Sequence, residues 1–301
     1  MVRAVNHANL EMISGEILGL VGESGSGKST MGYSIMRLLP GNASTSGQIL
    51  FEGRDLTTVP ESEMQKVRGS EIAMVFQGSM NSLNPIMRVE DQVAEPLVLH
   101  RGMNQSEARK RAREILNDVG VYPEKAKSYP HELSGGLKQR VGIAIALSLN
   151  PKLLIADEPT TALDVMTQAQ IMDLLLALKN KYSMSVIIIS HDIALVSEVS
   201  DRMAVMYAGR IVEVGSRQDV IRNPGHPYTS LLISSIPSLE PRTAFEFIRG
   251  DPPDGINLPS GCPFTPRCPF AREECSHFDN EYRLLDSTHK VACLVAGETR
   301  V

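Results

Sequence analysis

The sequence contains no tryptophan, little other aromatic content and no long hydrophobic run. Aromatic residues make up 5% of its 301 residues, and no segment approaches the roughly twenty consecutive apolar residues that a membrane-spanning helix requires. It also lacks an excess of positive charge, because 30 Lys and Arg residues are outweighed by 35 Asp and Glu residues. These absences argue against a membrane span and against a nucleic-acid partner. Any role at a membrane is therefore expected to be peripheral.

The first residues do not suggest a secretory signal either. The first residues, Met1 to His7, lack the continuous apolar run of a signal peptide. We therefore expect a cytoplasmic protein, in which the four cysteines are not expected to form disulfide bonds. The remaining composition, with 42% hydrophobic and 22% charged residues, is that of an ordinary globular chain and excludes a disordered or coiled-coil protein.

Four short apolar runs before Pro237 are typical of buried strands, and amphipathic segments separate them. The runs are residues 17–21, 72–76, 153–156 and 186–189. The segment after Asn104 has Glu107 at the spacing of a capping box and apolar residues at helical intervals. We interpret its opposite face, with Arg109, Lys110, Arg111 and Arg113, as solvent-exposed. Strands that alternate with helices predict an α/β fold with a parallel, doubly wound sheet.

The most specific local pattern is a glycine-rich phosphate loop directly after the first predicted strand. It comprises Gly22, Glu23, Ser24, Gly25, Ser26, Gly27, Lys28, Ser29 and Thr30. Its glycines allow consecutive backbone N–H groups to surround a phosphate, and the following helix directs its positive end toward the same anion. Lys28 is expected to reach the β- and γ-phosphates and Ser29 to bind Mg²⁺. The alternative is a glycine- and serine-rich turn without function. Such a turn would have a preceding strand, a Lys-Ser pair and a following helix only by chance, so the combination favours a phosphate loop.

Two further predicted strands end in polar residues that suit phosphate chemistry. Asp157 and Glu158 follow the run at 153–156, and His191 follows the run at 186–189. Ligands of open α/β sheets bind at the carboxyl ends of strands, so we expect these residues at the edge that carries the phosphate loop. Asp157 is then a Mg²⁺ ligand, and Glu158 is the candidate for polarising the attacking water. A structural role is the alternative for His191, but its place at a strand end favours function.

The order and spacing of several motifs resemble the nucleotide-binding domain of ATP-binding cassette (ABC) proteins over roughly residues 5 to 235. Besides the phosphate loop, these motifs are Leu133-Ser134-Gly135-Gly136 with Gln139-Arg140, Asp157-Glu158-Pro159-Thr160, Ala162-Leu163-Asp164 and Ser190-His191-Asp192. Residues 82–85 (SLNP), 226–229 (HPYT), 261–264 (GCPF) and 267–269 (RCP) are similar to the dipeptide and oligopeptide (and nickel) importer branch. With these segments the resemblance covers nearly the whole chain.

The resemblance implies roles for individual residues. Ser134, Gly135 and Gly136, at the start of a helix, are implied to bind the γ-phosphate of ATP held by a second ATPase subunit. Gln77 is implied to contact Mg²⁺ and the attacking water, and His191 to hold the γ-phosphate. Asp164 is implied to lie in the loop that crosses to the partner. A helical insert at about residues 88–133 is implied to dock on transmembrane permease subunits.

Two departures from the family pattern lead to expectations of their own. Gly78 and Ser79 replace the Asp-Pro pair that commonly follows the loop glutamine, and we expect a looser loop there. Family members also carry an adenine-stacking aromatic residue well before the phosphate loop, whereas residues 1–21 contain no aromatic residue. We therefore expect weak selectivity for adenine, since base stacking on an aromatic ring contributes about 1 to 3 kcal/mol in comparable settings.

The carboxyl-terminal part of the chain differs in composition from the rest. Eight prolines lie between Pro237 and Pro269, which predicts a boundary between an ABC domain at residues 1–236 and an extension at residues 237–301. All four cysteines, Cys262, Cys268, Cys275 and Cys293, lie in this extension. Their gaps differ from common zinc ribbons, yet four thiolates can hold zinc or a [4Fe–4S] cluster. The family resemblance favours the cluster, and four ordinary reduced thiols remain the alternative.

The sequence therefore predicts a P-loop (RecA-like) α/β core with a helical insert and a cysteine-containing extension. The resemblance implies an ATP- and Mg²⁺-dependent hydrolase subunit of a peptide-type importer at the cytoplasmic face of the membrane. Its implied partners are a second, homologous ATPase subunit, permease subunits and, indirectly, an external binding protein; no nucleic acid is expected. The alternatives are a soluble non-transport ABC ATPase and a module that binds ATP without hydrolysing it. The transported substrate is not encoded in these motifs.

Overall fold

The computed structural model describes residues 2–235, 248–279 and 281–296. Contacts along the chain divide it into two compact units. The first unit consists of Met1–Met12, Glu16–Met31 and Ile189–Val301, and the second consists of Ile13–Gly15 and Gly32–Ile188. The domain boundary predicted between residues 236 and 237 falls outside the described residues.

The described residues form short strands and helices of ordinary length. The strands are β1 (Ile17–Val21), β2 (Leu50–Phe51), β3 (Arg54–Asp55), β4 (Ile72–Val75), β5 (Leu153–Asp157), β6 (Ser185–Ser190), β7 (Arg202–Tyr207), β8 (Arg210–Ser216), β9 (Arg283–Leu284) and β10 (Lys290–Val291). The α-helices are α1 (Lys28–Ile35), α2 (Glu61–Val67), α3 (Val89–Arg101), α4 (Gln105–Asp118), α5 (Pro123–Ala126), α6 (Gly135–Leu147), α7 (Val165–Tyr182), α8 (Ile193–Val199), α9 (Arg217–Arg222) and α10 (Pro227–Ser234). None of these described helices has both the length and the apolar character needed to cross a bilayer.

The first unit contains a mixed sheet rather than the purely parallel one that the sequence pattern predicts. Strands β1 and β7 pair in parallel, but β8 pairs antiparallel to β7, and β10 pairs antiparallel to both β8 and β9. The two residues between β7 and β8, Ala208 and Gly209, both have positive φ angles of 46° and 82°. A two-residue turn of this kind can join only antiparallel strands, which accounts for the difference.

The second unit is built on three neighbouring strands in the order β4, β5 and β6. Strands β4 and β5 pair in parallel and are buried along their whole length. Continuous apolar sequence is what a parallel strand covered on both faces requires. Since both strands are rigidly packed, the residues at their carboxyl ends are held in fixed positions.

Helix α4 begins where the sequence predicts, and its basic face also forms ion pairs. Asn104 accepts hydrogen bonds from the backbone N–H groups of Ser106 and Glu107, and so caps the helix. On the basic face, Arg109 pairs with Asp91 and Arg113 pairs with Glu90, each at 2.6 Å. The acidic partners both belong to the first turn of α3. The side chains of Arg109 and Arg113 are 44% and 47% exposed, which agrees with the interpretation of a solvent-exposed face, and the two ion pairs also join α4 to α3.

A buried ion pair anchors β10 to the rest of the first unit. Glu213 on β8 is fully buried, and its carboxylate accepts hydrogen bonds from the backbone N–H groups of Gly225 and His226. His289 Nε2 lies 2.7 Å from Glu213 Oε1. Burial opposes the charged form of the imidazole, but the hydrogen bond and charge of Glu213 outweigh it, so that the pKa of His289 is raised. The charged ring therefore stabilises this contact.

We predict that the contribution of His289 to stability depends on pH. Because its folded-state pKa is raised above the usual 6.5 of histidine, the stabilisation is complete below about pH 6.5 and is lost as pH rises through the folded-state value. His289→Gln should lower the free energy of unfolding by about 2 kcal/mol at pH 6, and the difference from the parent chain should shrink at pH 8.5. Urea unfolding curves at both pH values measure it.

Lys290→Gln serves as the matched control for this prediction. Lys290 is the next residue on β10, but its side chain is 42% exposed and its ammonium lies 3.9 Å from an exposed Glu11 carboxylate. Exposed pairs contribute roughly 0 to 1 kcal/mol, so this variant should differ little from the parent chain at either pH. A His289→Gln effect of the same size at both pH values would contradict the account.

Candidate functional site

The phosphate loop lies between β1 and α1 and requires glycine at two points of close backbone approach. Gly27 has φ of 103°, and a Cβ atom there would lie 2.1 Å from the carbonyl oxygen of Ala4. A Cβ atom on Gly22 would lie 2.1 Å from the carbonyl oxygen of Met206. Both distances are far shorter than a van der Waals contact. The loop therefore has its shape because these positions carry no side chain.

Lys28 follows the glycines of this loop as the first residue of α1 and is 6% exposed. Its ammonium donates hydrogen bonds to the carbonyl oxygens of Gly22 at 2.7 Å and Glu23 at 2.9 Å, and to Ser26 Oγ at 3.3 Å. A buried ammonium is costly unless its donors are satisfied, and the loop backbone satisfies them. Ser29 and Thr30 follow at the start of α1 and are half-buried. The loop thus surrounds one positive charge with oriented backbone groups, which is suited to an anion.

Glu23 is the loop residue with the most distant partners. Its backbone N–H donates to the hydroxyl of Tyr228 at 2.8 Å, and its carboxylate accepts two hydrogen bonds from Arg267. The sequence motifs around residues 226–229 and 267–269 marked a resemblance only, and nothing in their spacing indicated that both reach the phosphate loop.

His191 lies at the turn between β6 and α8, where it is exposed. The residues on either side fix this turn. Ser190 Oγ accepts from the backbone N–H of Asp192 at 3.1 Å, and Asp192 Oδ1 caps α8 by accepting from the N–H of Leu195 at 3.0 Å. The imidazole is therefore presented at the end of a strand by a well-bonded backbone, as the sequence predicts.

In the second unit, β5 ends in a buried carboxylate followed by a strained residue. Asp157 is fully buried, and Glu158 has a φ angle of 48°. Positive φ is unfavourable for a residue with a Cβ atom and costs on the order of 1 kcal/mol or more. Thr161 Oγ1 donates to Glu158 Oε2 at 3.2 Å. The turn of the backbone and the hydrogen bond from Thr161 therefore orient the Glu158 carboxylate.

Tyr33 is a neighbour of Asp157 that the sequence motifs do not indicate. Burial raises the pKa of the Tyr33 hydroxyl, as do the charge of Asp157 and the hydrogen bond to its carboxylate. The ring also stacks on Phe76 with a centroid separation of 6.2 Å. Phe76 directly precedes Gln77, which is exposed. Tyr33 therefore contacts both the predicted Mg²⁺ carboxylate and the residue before the predicted loop glutamine.

The loop after Gln77 has a hydrogen-bonded turn. Gly78 adopts a left-handed conformation and begins a short 3₁₀ turn at Ser79–Asn81. Ser79 is buried, and its hydroxyl donates to Gln139 Oε1 on α6 at 2.9 Å. Ser79 therefore supplies a hydrogen bond that a proline could not make, and the expectation of a looser loop stays a prediction.

Ser134, Gly135 and Gly136 form the start of α6, as the family resemblance implies. Ser134 caps the helix and is exposed, as is Gly135. A Cβ atom on Gly136 would lie 2.7 Å from the Cγ2 atom of Thr167 on α7. The start of α6 is therefore exposed to solvent at Ser134 and Gly135 and closely packed against α7 at Gly136.

Asp164 caps the neighbouring helix through the same Thr167. Its carboxylate accepts from the backbone N–H at 3.0 Å and from the hydroxyl at 2.7 Å. Both hydrogen bonds lower the pKa of Asp164, and the bond from the Thr167 hydroxyl has the larger effect. Val165 and Met166 follow and are 78% and 72% exposed. The exposed start of α6 and two exposed apolar side chains therefore lie on either side of one threonine.

The four cysteines of the extension lie together in the first unit. Cys262, Cys268, Cys275 and Cys293 line one cavity, which is also lined by His226. Gly261 has φ of 70°, and a Cβ atom there would lie 2.2 Å from the carbonyl oxygen of Cys275, to which Cys262 N–H donates. In the part of the chain that the structure describes, no three or more His, Cys, Asp or Glu side chains are arranged to hold a single metal ion.

His226 presents a polar atom beside this cavity. The ring is 1% exposed, and burial lowers its pKa to about 3, so the ring is neutral. Its Nδ1 atom accepts from the backbone N–H of Tyr228 at 3.0 Å, which assigns the proton to Nε2. Among the described residues, that Nε2–H has no hydrogen-bond partner. An orphaned buried donor next to four thiols is compatible with a sulfur-containing group in the cavity.

Comparison with known proteins agrees with this geometry. Residues 5–161 match the family model described as ABC transporter, and residues 212–275 match that described as the oligopeptide/dipeptide transporter C-terminal region. The chain is 48% identical over 279 residues to the oligopeptide transport ATP-binding protein OppD of Escherichia coli, covering 91% of this chain and 82% of that protein. It is 44% identical over 297 residues to the dipeptide transport ATP-binding protein DppD of Bacillus subtilis, covering 97% and 89%.

The fold of this chain is similar to those of solved ATP-binding cassette structures. A dimeric ATP-binding cassette in a post-hydrolysis state with ADP and Pi superimposes with a TM-score of 0.63 at 35% identity, covering 71% of this chain and 90% of that one. A dimeric bacterial ABC transporter cassette superimposes with a TM-score of 0.64 at 34% identity and the same coverage. Together with the family match over more than half of the chain, these similarities establish that the chain belongs to the ABC transporter family of ATP-binding cassettes.

Proposed function

We propose that the chain is the ATP-hydrolysing subunit of a peptide-type importer. The observation that carries the proposal is the end of β5, where a buried Asp157 is followed by Glu158 in a strained backbone conformation. Strained backbone of this kind is common at active sites and ligand clamps, and it supports a functional role for the Glu158 carboxylate. The match of residues 212–275 to the peptide-transporter C-terminal region supports the choice of substrate class.

Each residue of the nucleotide site has a role that its surroundings support. The backbone N–H groups of residues 22–30 and the Lys28 ammonium bind the phosphates of ATP. Ser29, Gln77 and Asp157 would hold Mg²⁺, which would supply positive charge to neutralise the charge that develops on the phosphates. Glu158 orients and polarises the attacking water, and His191 donates to the γ-phosphate. The chemistry is the in-line transfer of the γ-phosphoryl group to water.

A second ATPase subunit completes the site. The start of α6 is exposed at Ser134 and Gly135, and an open helix start is suited to binding a phosphate from another molecule. Asp164 lies beside it, followed by the exposed apolar side chains of Val165 and Met166. Exposed apolar residues next to such a site favour a protein contact. We infer a sandwich in which this face covers ATP on a homologous partner.

Permease subunits are the other partners. The insert at about residues 88–133 and the loop before it expose three large apolar side chains, Ile86 at 83%, Leu99 at 72% and Tyr122 at 69%. These side chains supply a surface that fits apolar parts of a membrane subunit. The chain then works at the cytoplasmic face of the membrane, and an external binding protein affects it only through the permeases.

The cysteine cavity is proposed to hold a [4Fe–4S] cluster. Burial raises the pKa of the Cys268 thiol to about 11 and that of the Cys293 thiol to about 12. Buried thiolates therefore need a cation to compensate their charge. Four thiols that line one cavity support a shared thiolate site, and the family resemblance favours a cluster over zinc there.

Glu158→Gln tests the chemistry. The amide keeps the size and a hydrogen-bonding oxygen but removes the charge that orients water, so ATP turnover should fall by about 10² to 10⁴-fold while ATP still binds. Steady-state phosphate release and nucleotide titration measure the two effects. The control is Glu124→Gln on exposed α5, which should turn over at the parent rate. Near-parent turnover by Glu158→Gln would remove the residue from this role.

Assembly is tested in the same hydrolysis-deficient background. Glu158→Gln with Mg-ATP should dimerise or pair with a homologous partner, because trapped nucleotide favours the closed sandwich by mass action. Adding Ser134→Arg should abolish association, since it places bulk and charge at the contact. Ser106→Arg, on an exposed face of α4, is the control and should leave association intact. Light scattering that records a monomer with ATP and partner present would contradict the sandwich.

The cysteine assignment has a spectroscopic test. Protein purified without oxygen should absorb broadly near roughly 400 nm, as thiolate-bound iron–sulfur clusters do. Replacing Cys262, Cys268, Cys275 or Cys293 by serine should lower the iron content in each case. Ser287→Ala, an exposed change in the same extension, should leave iron content unchanged. A colourless anaerobic preparation with stoichiometric zinc would overturn the cluster and leave the ATPase proposal intact.

A further inference from the structure

Two side chains from the carboxyl-terminal part of the chain hold Glu23 of the phosphate loop. Arg267 donates from Nη1 to Glu23 Oε2 at 2.7 Å and from Nη2 to Oε1 at 3.0 Å, which is a bidentate pair between residues 244 positions apart. The Tyr228 hydroxyl accepts the backbone N–H of the same Glu23 at 2.8 Å. Both the side chain and the backbone of this loop residue are therefore fixed from the extension and the helix before it.

The Arg267 guanidinium is itself rigidly oriented. Its side chain is 6% exposed, and it donates to the Tyr207 hydroxyl at 3.2 Å and to the carbonyl oxygens of Arg249 at 2.9 Å and Gly250 at 3.0 Å. It also lies over the Tyr207 ring, 5.8 Å from the centroid. A cation that is buried and bonded on all sides keeps one geometry, so its position near Glu23 is not that of a mobile surface residue.

The backbone that carries Arg267 belongs to the cysteine region. Arg267 ends the 3₁₀ turn at Thr265–Arg267, in which Thr265 N–H donates to the carbonyl of Cys262 and Cys268 N–H donates to that of Thr265. Phe264, fully buried, packs its ring against Tyr207 and Tyr228 at centroid separations of 5.2 and 5.4 Å. The conformation between two of the cysteines therefore determines where the guanidinium lies.

Charge explains why such a partner is needed. The loop proposed to bind a triphosphate carries a carboxylate at Glu23, and a carboxylate repels phosphate unless its charge is compensated. Arg267 compensates the carboxylate charge of Glu23 at hydrogen-bond distance. Because the Arg267 side chain is little exposed to water, salt screens the attraction between the two charges only weakly.

We propose that Arg267 is a positioning residue for the phosphate loop. By pairing with Glu23 it fixes the loop and cancels the carboxylate charge, and it thereby couples nucleotide affinity to the folding of the cysteine region. The inference rests on the proposed ATP site and adds to it a dependence on a residue outside the nucleotide motifs.

The experiment compares Arg267→Met, Arg267→Lys, Glu23→Gln and the double variant Arg267→Met/Glu23→Gln in the full-length chain. Calorimetric titration with Mg-ATP gives Kd, and steady-state hydrolysis gives kcat and KM. Arg267→Met leaves the Glu23 carboxylate uncompensated and should raise Kd and KM about ten-fold with little change in kcat. The double variant removes that carboxylate and should recover most of the lost affinity. Arg267→Lys keeps the charge and should fall between the parent chain and Arg267→Met.

Arg222→Met removes one exposed arginine from the same unit and should bind Mg-ATP like the parent chain. A purely structural brace predicts that the double variant binds as weakly as Arg267→Met or more weakly, and that result would overturn the proposal. Arg267→Met that binds like Arg222→Met would overturn it too. If Arg267→Met does not fold, Arg267→Lys measured with and without Glu23→Gln decides the same question. A parent chain that neither binds nor hydrolyses ATP would instead refute the proposed function.

Discussion

A positive charge enclosed by backbone is the constraint on which the phosphate loop depends. Lys28 is almost fully buried, and its ammonium donates to carbonyl groups of the loop that surrounds it. The loop can close around it only because Gly22 and Gly27 leave room for carbonyl groups of distant segments. The same loop carries the Glu23 carboxylate, which forms the bidentate pair with Arg267.

A second constraint acts at the end of β5. The strand is buried throughout, so Asp157 at its end is shielded from solvent. The next residue, Glu158, has a positive φ angle. Tyr33 bonds the carboxylate and stacks on Phe76, and Ser79 bonds Gln139 on α6. The carboxylate, the residues flanking Gln77 and the helix that begins at Gly135 are thus joined by a short chain of contacts.

Much of this organisation can be predicted from the sequence because it depends on local pattern. The phosphate loop, the strand that ends at Asp157, the Asn104 cap and the helix after Ser134 lie where spacing and residue type indicate. The structure bears out the α/β fold class, although β8 to β10 are antiparallel because a two-residue turn follows β7. The weak adenine selectivity expected from the aromatic-free first residues stays a prediction.

Contacts between residues far apart in the chain could not be predicted in this way. Arg267 and Glu23 are 244 positions apart, and neither motif contains a sign of the other. From the sequence, the cysteines belong to an extension separate from Lys28, yet contacts place both in the first compact unit. The sequence pattern around Tyr33 indicates only a helix residue, and nothing in it predicts the hydrogen bond of the Tyr33 hydroxyl to Asp157. The hydrogen bond of Ser79 to Gln139 could not be predicted either, because the partner of a hydroxyl group is set by packing and not by sequence spacing.

The central claim is that this chain couples ATP hydrolysis to transport through membrane subunits. The most direct measurement is ATP turnover by the chain reconstituted in vesicles with its co-expressed permease subunits and homologous partner, with and without peptide-loaded binding protein. We expect ATP turnover that depends on Mg²⁺, rises when the loaded binding protein is added and is accompanied by peptide uptake. ATP turnover that is the same with and without the permeases and the binding protein, with no peptide uptake, would contradict it.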